Sequence, residues 1–296
     1  MLARKINRSE LPFDIINYTM LVIVLFTAIY PLYFILIASI SDPNAIYNGE
    51  VWLLPKAVTF KGYYRIFHSD SIWVGYLNSL KYTFTGTLLN LLLTLPAAYA
   101  LSRKHLSGRN IFMMIITFTM FFSGGLIPTY ILIMKLGLRN TLGAMIFPEA
   151  VIVWYLIIAR TFFQTTIPDE LNDAASIDGA TDLKFFIRIV LPLSPALIAI
   201  MVLYYGVYHW NAFFNALLYL EKEKLFPLQL VLRNILIQNE VSSEMVGDLS
   251  SVAEQQKLSD LIKYGAIAVA SLPLLIAYPF LQKYFVKGVM IGSIKG

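Results

Sequence analysis

Few side chains in this sequence can do chemistry, and their spacing rules out most of what they could do. There is no cysteine, which excludes disulfides and thiol chemistry. The histidines, His68, His105 and His209, lie far apart, and no His-Glu-x-x-His spacing occurs, so no metal centre is expected. No Gly-x4-Gly-Lys-Ser/Thr run occurs either, so the chain carries no phosphate-cradling loop of that type. Four polar features remain. Glu149 follows Pro148 inside a long apolar stretch. It reads either as a proton or substrate group or as an acid near the outer interface. His209, Trp210, Asn211 and Asn215 cluster in another apolar stretch. Rings stack on sugars and amides bond hydroxyls, so they suit a sugar path; the alternative is an interfacial aromatic belt with helix packing. Asn90 stands alone in a third stretch and reads as an interhelical hydrogen bond. The fourth feature is a polar segment, 164–195, in which Asp173 and Asp178 flank small residues.

The stretches that must position these groups are set by composition. Hydrophobic residues make up 58% and charged residues 14%. Soluble domains hold about 45–50% apolar and about 25% charged residues, so lipid is the expected solvent. The net charge of +5 then reads as basic loops at membrane surfaces rather than nucleic-acid binding. A span needs about 20 apolar residues. Stretches at 15–40, 79–101, 111–134, 142–163, 193–220 and 261–285 qualify. The expected fold is an all-α integral membrane protein with six transmembrane helices. The first stretch is too long for a signal-peptide core and is expected to stay as a span. Pro31, Pro96, Pro128, Pro148 and Pro273 fall inside spans, where neighbouring helices can satisfy the freed carbonyls. Ser123, Gly124 and Gly125 interrupt the third, as an unwound segment or as a close helix crossing.

Basic residues orient the spans. Arg4, Lys5 and Arg8 precede the first, Arg103, Lys104 and Arg109 follow the second, and Lys283, Lys287 and Lys295 lie at the carboxyl end. Both termini are therefore expected in the cytoplasm. The expected organisation is a cytoplasmic amino terminus (1–14), the first span (15–40), an extracytoplasmic loop (41–78), a five-span domain (79–286) with an outer loop at 221–260, and a cytoplasmic tail (287–296). The loop at 41–78 is expected to be ordered, given its aromatics. The polar one at 221–260 reads either as a flexible loop or, by the resemblance below, as a binding-protein contact. No internal repeat is evident, so an inverted-repeat secondary transporter is not expected.

Segment 164–195 is then cytoplasmic. Thr166 and Pro168 mark a helix start, Asp169 and Glu170 suit its positive end, and Gly179 closes it. Thr181 and Asp182 can cap a second helix over 183–190, before Pro192 and Pro195. The small residues Ala174, Ala175 and Gly179 make this a docking knob for a partner's groove or, equally from spacing, a solvated connector.

The stretch DAASIDGATDLKFFIRIVLPLSP resembles the EAA loop of binding-protein-dependent ABC importers. Ala174, Ala175, Asp178, Gly179, Ala180 and Pro192 match that pattern, and Asp173 stands where the family commonly has Glu, with a shorter reach. WNAFFNALLYL and the tail YFVKGVMIGSIKG are similar to the MalG-like branch of sugar permeases, its LplC/YtcP-like oligosaccharide permeases in particular. The resemblance implies a type I ABC importer permease fold, and a permease subunit rather than an enzyme. It implies a coupling helix formed by the EAA loop and seated in a separate ATPase. It also implies a second permease as a heterodimer partner, two ATPase subunits that use ATP and Mg, and an extracytoplasmic solute-binding protein. No cofactor is implied for this chain itself. Substrates of that branch are oligosaccharides from complex glycans, acidic ones included.

Overall fold

A backbone in lipid must satisfy its own hydrogen bonds, and an uninterrupted apolar run does so as helix. The computed structural model describes residues 11–245, 261–279 and 282, with helices and loops and no strand among the described residues. The helices are α1 (Leu11–Ala38), α2 (Pro43–Tyr47), α3 (Lys61–Phe67), α4 (Asp70–Ser102), α5 (Arg109–Phe121), α6 (Leu126–Lys135) and α7 (Gly143–Ile146). They continue with α8 (Val153–Thr166), α9 (Asp169–Ile177), α10 (Asp182–Phe185), α11 (Pro195–Trp210), α12 (Phe214–Tyr219) and α13 (Leu228–Met245). The last, α14, is Leu261–Pro279. Residues 1–10 of the expected amino-terminal segment, 246–260 of the expected outer loop, the end of the sixth stretch and the tail 287–296 lie outside the described residues.

The chain divides into two compact units, Met1–Ser69 with Asn234–Ser271, and Asp70–Arg233 with Leu272–Gly296. In the first unit, α1 exposes apolar side chains over most of its length, as a helix facing lipid or another subunit does. Its end is tied down by Tyr30 donating to the Trp52 carbonyl (3.3 Å) and by Ser39 Oγ meeting the Tyr63 hydroxyl at 2.9 Å. The loop expected at 41–78 is ordered through α2 and α3. Gly62 lies so close to the Leu261 carbonyl that an added Cβ would sit 2.8 Å from it, so the start of α14 crosses α3 with no room for a side chain there.

In the second unit, one expected span is longer than expected and three are broken. The second begins nine residues early: α4 has 33 residues, about 50 Å at the helical rise, against about 30 Å of hydrocarbon. The third breaks between α5 and α6 with a bend of 110°. Gly125 sits at φ 87°, ψ 176°, a conformation reserved for glycine, and nothing lies within 4 Å of its absent Cβ. The glycines there unwind the chain and do not make a close crossing within it. The fourth breaks after α7, and a turn through Pro148 and Glu149, closed by the Ala150 amide donating to the Phe147 carbonyl (3.1 Å), leads to α8. The fifth breaks after Trp210 and resumes as α12.

The extra outer turns of α4 hold the segment that follows α12. Asn78 donates to the carbonyls of Lys224 (2.9 Å) and Phe226 (3.1 Å), Tyr82 donates to that of Leu225 (2.7 Å), and Ser79 accepts from the Leu228 amide (2.9 Å). The first part of the expected outer loop at 221–260 is therefore packed structure: a 3-10 turn, then α13 with Leu228, Leu230 and Val231 buried.

The main core of this unit joins α4, α5, α8, α9, α10 and α11 through Tyr99, Phe163, Phe185, Phe186, Val190 and Tyr205.

Candidate functional site

Two sites emerge, one at the end of α8 and one beside the break in the fourth span. At the first, Pro168 is the N-cap of α9 and Asp169 opens it; Thr166, expected at this helix start, is the last residue of α8. The helix ends in a Schellman turn. The Gly179 amide donates to the Ser176 carbonyl (3.1 Å), the Ala180 amide donates to that of Ala175 (2.9 Å), and Gly179 has φ +73°. Thr181 caps the next helix by accepting from the Lys184 amide (3.4 Å). α10 then widens into a π-helix, Phe186–Val190, and the chain bends 89° through Pro192 into α11.

The faces of α9 are divided by burial. Ala175 is buried in the core and Ala180 packs against it, so these two seat the helix rather than present it. Glu170, Asp173, Ala174 and Ile177 recur at helical spacing and are exposed, with Ile177 87% exposed. Asp178 and Gly179 continue that surface. Nothing among the described residues covers it.

Arg103 mounts this helix. Its side chain is buried, with the guanidinium 5.0 Å above the Tyr99 ring. Nη2 donates to the carbonyls of Phe163 (3.0 Å) and Ile167 (3.4 Å) at the end of α8. Nη1 stands 3.5 Å from the Asp169 carboxylate, an ion-pair contact rather than a hydrogen bond. Lys104 reaches the other carboxylate oxygen at 2.9 Å. That hydrogen bond, aided by the charges of Lys104 and Arg103, holds Asp169 below the usual carboxylate range. In return, Arg160 of α8 donates from Nε to the Leu101 carbonyl at the end of α4 (3.0 Å). An arginine in or beside each helix thus donates to carbonyls at the end of the other.

At the second site a cavity of 610 Å³ is lined by Glu149, Tyr155, Tyr204, Tyr208, Asn211, Phe213 and Asn215, among others. The structure therefore brings Glu149, Asn211 and Asn215 together. His209 and Trp210 are not among its lining residues. Both are buried: Trp210 meets the Tyr76 ring edge-on at 5.5 Å, and His209 Nε2 lies 2.6 Å from Asn90 Oδ1. Successive residues on α11 point in different directions, so His209 and Trp210 turn away from the wall that Tyr204 and Tyr208 form. The Asn90 amide donates to the carbonyls of Glu149 (2.7 Å) and Ala150 (2.8 Å), tying the break in the fourth span to α4. The Tyr205 hydroxyl supports the same break, accepting from the Ile152 amide (3.3 Å) and meeting Thr94 Oγ1 at 2.7 Å.

Arg103, Ile177 and the tyrosines escaped sequence reasoning. Arg103 reads like its basic neighbours Lys104 and Arg109, and nothing in the sequence marks it as buried. Tyr204, Tyr208, Asn211 and Asn215 do follow a helical period, and that spacing was a usable signal.

No protein-family model matches the chain. It is 39% identical over 285 residues to the polygalacturonan/rhamnogalacturonan transport system permease protein YtcP of Bacillus subtilis (strain 168), covering 96% of this chain and 98% of that protein. The chain belongs to the MalG-like sugar permeases of ABC importers. The permease is also 38% identical to protein LplC of the same organism, over 96% of this chain and 95% of that one. Its fold matches, with a TM-score of 0.84 and 30% identity, the crystal structure of a bacterial ABC transporter involved in the import of the acidic polysaccharide alginate, over 96% of this chain and 100% of that chain. The permease is thus an all-helical membrane protein of the ABC importer fold.

Proposed function

We propose that the permease forms half of the translocation path of an importer for an oligosaccharide and is driven by a separate ATPase that seats on α9. The observation that carries this reading is the division of α9: an exposed stripe of Glu170, Asp173, Ala174 and Ile177 on a helix whose other side is held by the core and by Arg103. A connector has no need of a mount that secures both its first residue and the preceding helix end. A lever does.

In this reading two ATPase subunits bind and hydrolyse ATP with Mg, one on each of two paired permeases. A solute-binding protein delivers the sugar from outside, and both termini of the permease lie in the cytoplasm. Closure of the ATPases moves α9, and Arg103 passes the motion to α4 and α8 as one body, a rigid-body switch between two packed states. The aromatic cavity between α8 and α11 is this subunit's share of the sugar path, with Tyr155, Tyr204 and Tyr208 as stacking surfaces and Asn211 and Asn215 as hydroxyl partners. The carbohydrate names of the relatives support the same substrate class.

The test is purification from native membranes followed by an ATPase assay with the binding protein present. An ATPase and a second permease should co-purify, and Gly179→Asp should abolish stimulated hydrolysis while leaving membrane insertion intact. Solute movement by the permease alone in ATP-free liposomes would overturn this reading.

A further inference from the structure

Glu149 puts a carboxylate into the cavity wall with no cation beside it. Among the described residues its side chain has no hydrogen-bond or ion-pair partner, and the lining contains no lysine, arginine or histidine. An unpaired acid in a largely apolar and aromatic wall is costly and calls for a use. The chain also holds it in place. Asn90, fully buried, clamps the Glu149 and Ala150 carbonyls, and His209 fixes Asn90 in turn. The break in the fourth span is thus pinned to α4 and α11, and the backbone that carries Glu149 has a defined position.

Its surroundings state what it can accept. The rings of Tyr155, Tyr204, Tyr208 and Phe213 offer faces for the C–H surface of a pyranose. A carboxylate accepts two hydroxyl hydrogens at once, in short, charge-assisted bonds. Both features complement a neutral sugar unit. A uronate would bring a second negative charge into a site of low dielectric with no cation to offset it.

We infer that Glu149 is a specificity-determining residue: its carboxylate accepts hydroxyls from a neutral sugar unit and turns uronate units away from this wall. The inference rests on the sugar-path reading above. A substrate holding both kinds of unit passes with a neutral ring toward this subunit and its acid groups toward other parts of the path.

The test uses the full transporter, with both permeases, ATPase and binding protein, in proteoliposomes. The probes are a neutral trisaccharide and a uronate trisaccharide of the same linkage. Glu149→Gln keeps the size and the backbone carbonyl that Asn90 holds. It should lower uptake of the neutral probe about tenfold and raise uptake of the uronate severalfold; if the binding protein delivers one class only, the sign for that class decides. Unchanged uptake, or the same loss for both probes, overturns the inference while leaving the importer reading intact. Absence of ATP-dependent uptake in the wild type overturns both.

Discussion

Arg103 and Asp169 face each other at 3.5 Å across the junction between the end of α4 and the first residue of α9. The same guanidinium caps the end of α8. One side chain therefore ties α9 to the ends of both α4 and α8. Arg103→Ala would strand the Ile167 carbonyl, leave that of Phe163 with the Ile167 amide alone, and leave Asp169 to Lys104. A buried unsatisfied group costs about 1–3 kcal/mol, so the purified transporter should melt several degrees lower. Binding-protein-stimulated hydrolysis should fall further than basal hydrolysis. Arg103→Lys keeps the charge but not the fork, and should recover only part of the stimulation. Equal loss of basal and stimulated rates in Arg103→Ala would mean that the residue serves stability alone.

Asp169 is depressed by Lys104 and Arg103, so its contribution is present above the unfolded carboxylate pKa of about 4 and is lost as pH falls through the lower folded value. The pair is partly exposed and is worth less than about 1 kcal/mol. The melting-temperature gap between wild type and Asp169→Asn should stay constant from about pH 8 to 5 and close only below about pH 4. A gap that narrows between pH 7 and 5 would assign the effect to another group.

Gly179 has φ +73° and no atom within 4 Å of its absent Cβ. Its requirement inside the chain is conformational, and αL costs a residue with a β-carbon about 1–2 kcal/mol. Asparagine tolerates that conformation, valine does not. Gly179→Asn should keep the turn, and Gly179→Val should loosen the end of α9 and uncouple hydrolysis from transport. ATPase stimulation of the two variants, set against their unchanged membrane insertion, checks the order.

Gly86 lies under the His209 ring: a Cβ there would sit 2.4 Å from Nε2. Gly86→Ala should lower stability by about 1–3 kcal/mol, since an overpacked buried site must shift its neighbours. The thermal shift of the double variant Gly86→Ala/His209→Ala should be smaller than the sum of the single shifts, because removing the ring removes the clash. Full additivity would show that the two sites do not touch.

Apolar runs separated by basic loops were enough to place membrane helices, because no other backbone form is self-satisfied in lipid. The turn between α9 and α10 was legible nearly to the residue. Gly179 and Thr181 act through bonds to near neighbours in the chain, and such signals are written locally. The breaks were harder. Gly125 and Pro148 stood in view, but whether a span bends by 110° or merely kinks depends on what surrounds it.

The site itself divides along the same line. Residue types and spacing determined that a short acid-started helix with a glycine stop lies between two apolar stretches, and that Glu149, Asn211 and Asn215 stand within such stretches. Only the tertiary structure decided that Ala175 faces inward while Ile177 faces out, that Arg103 is a buried mount while its neighbour Lys104 stays on the surface, and that His209 and Trp210 turn away from the cavity. The physical reason is that these choices turn on which face of each helix meets another. Arg103 meets Phe163 sixty residues away, and His209 meets Asn90 across 119. Contacts at such separations leave no local pattern in the chain.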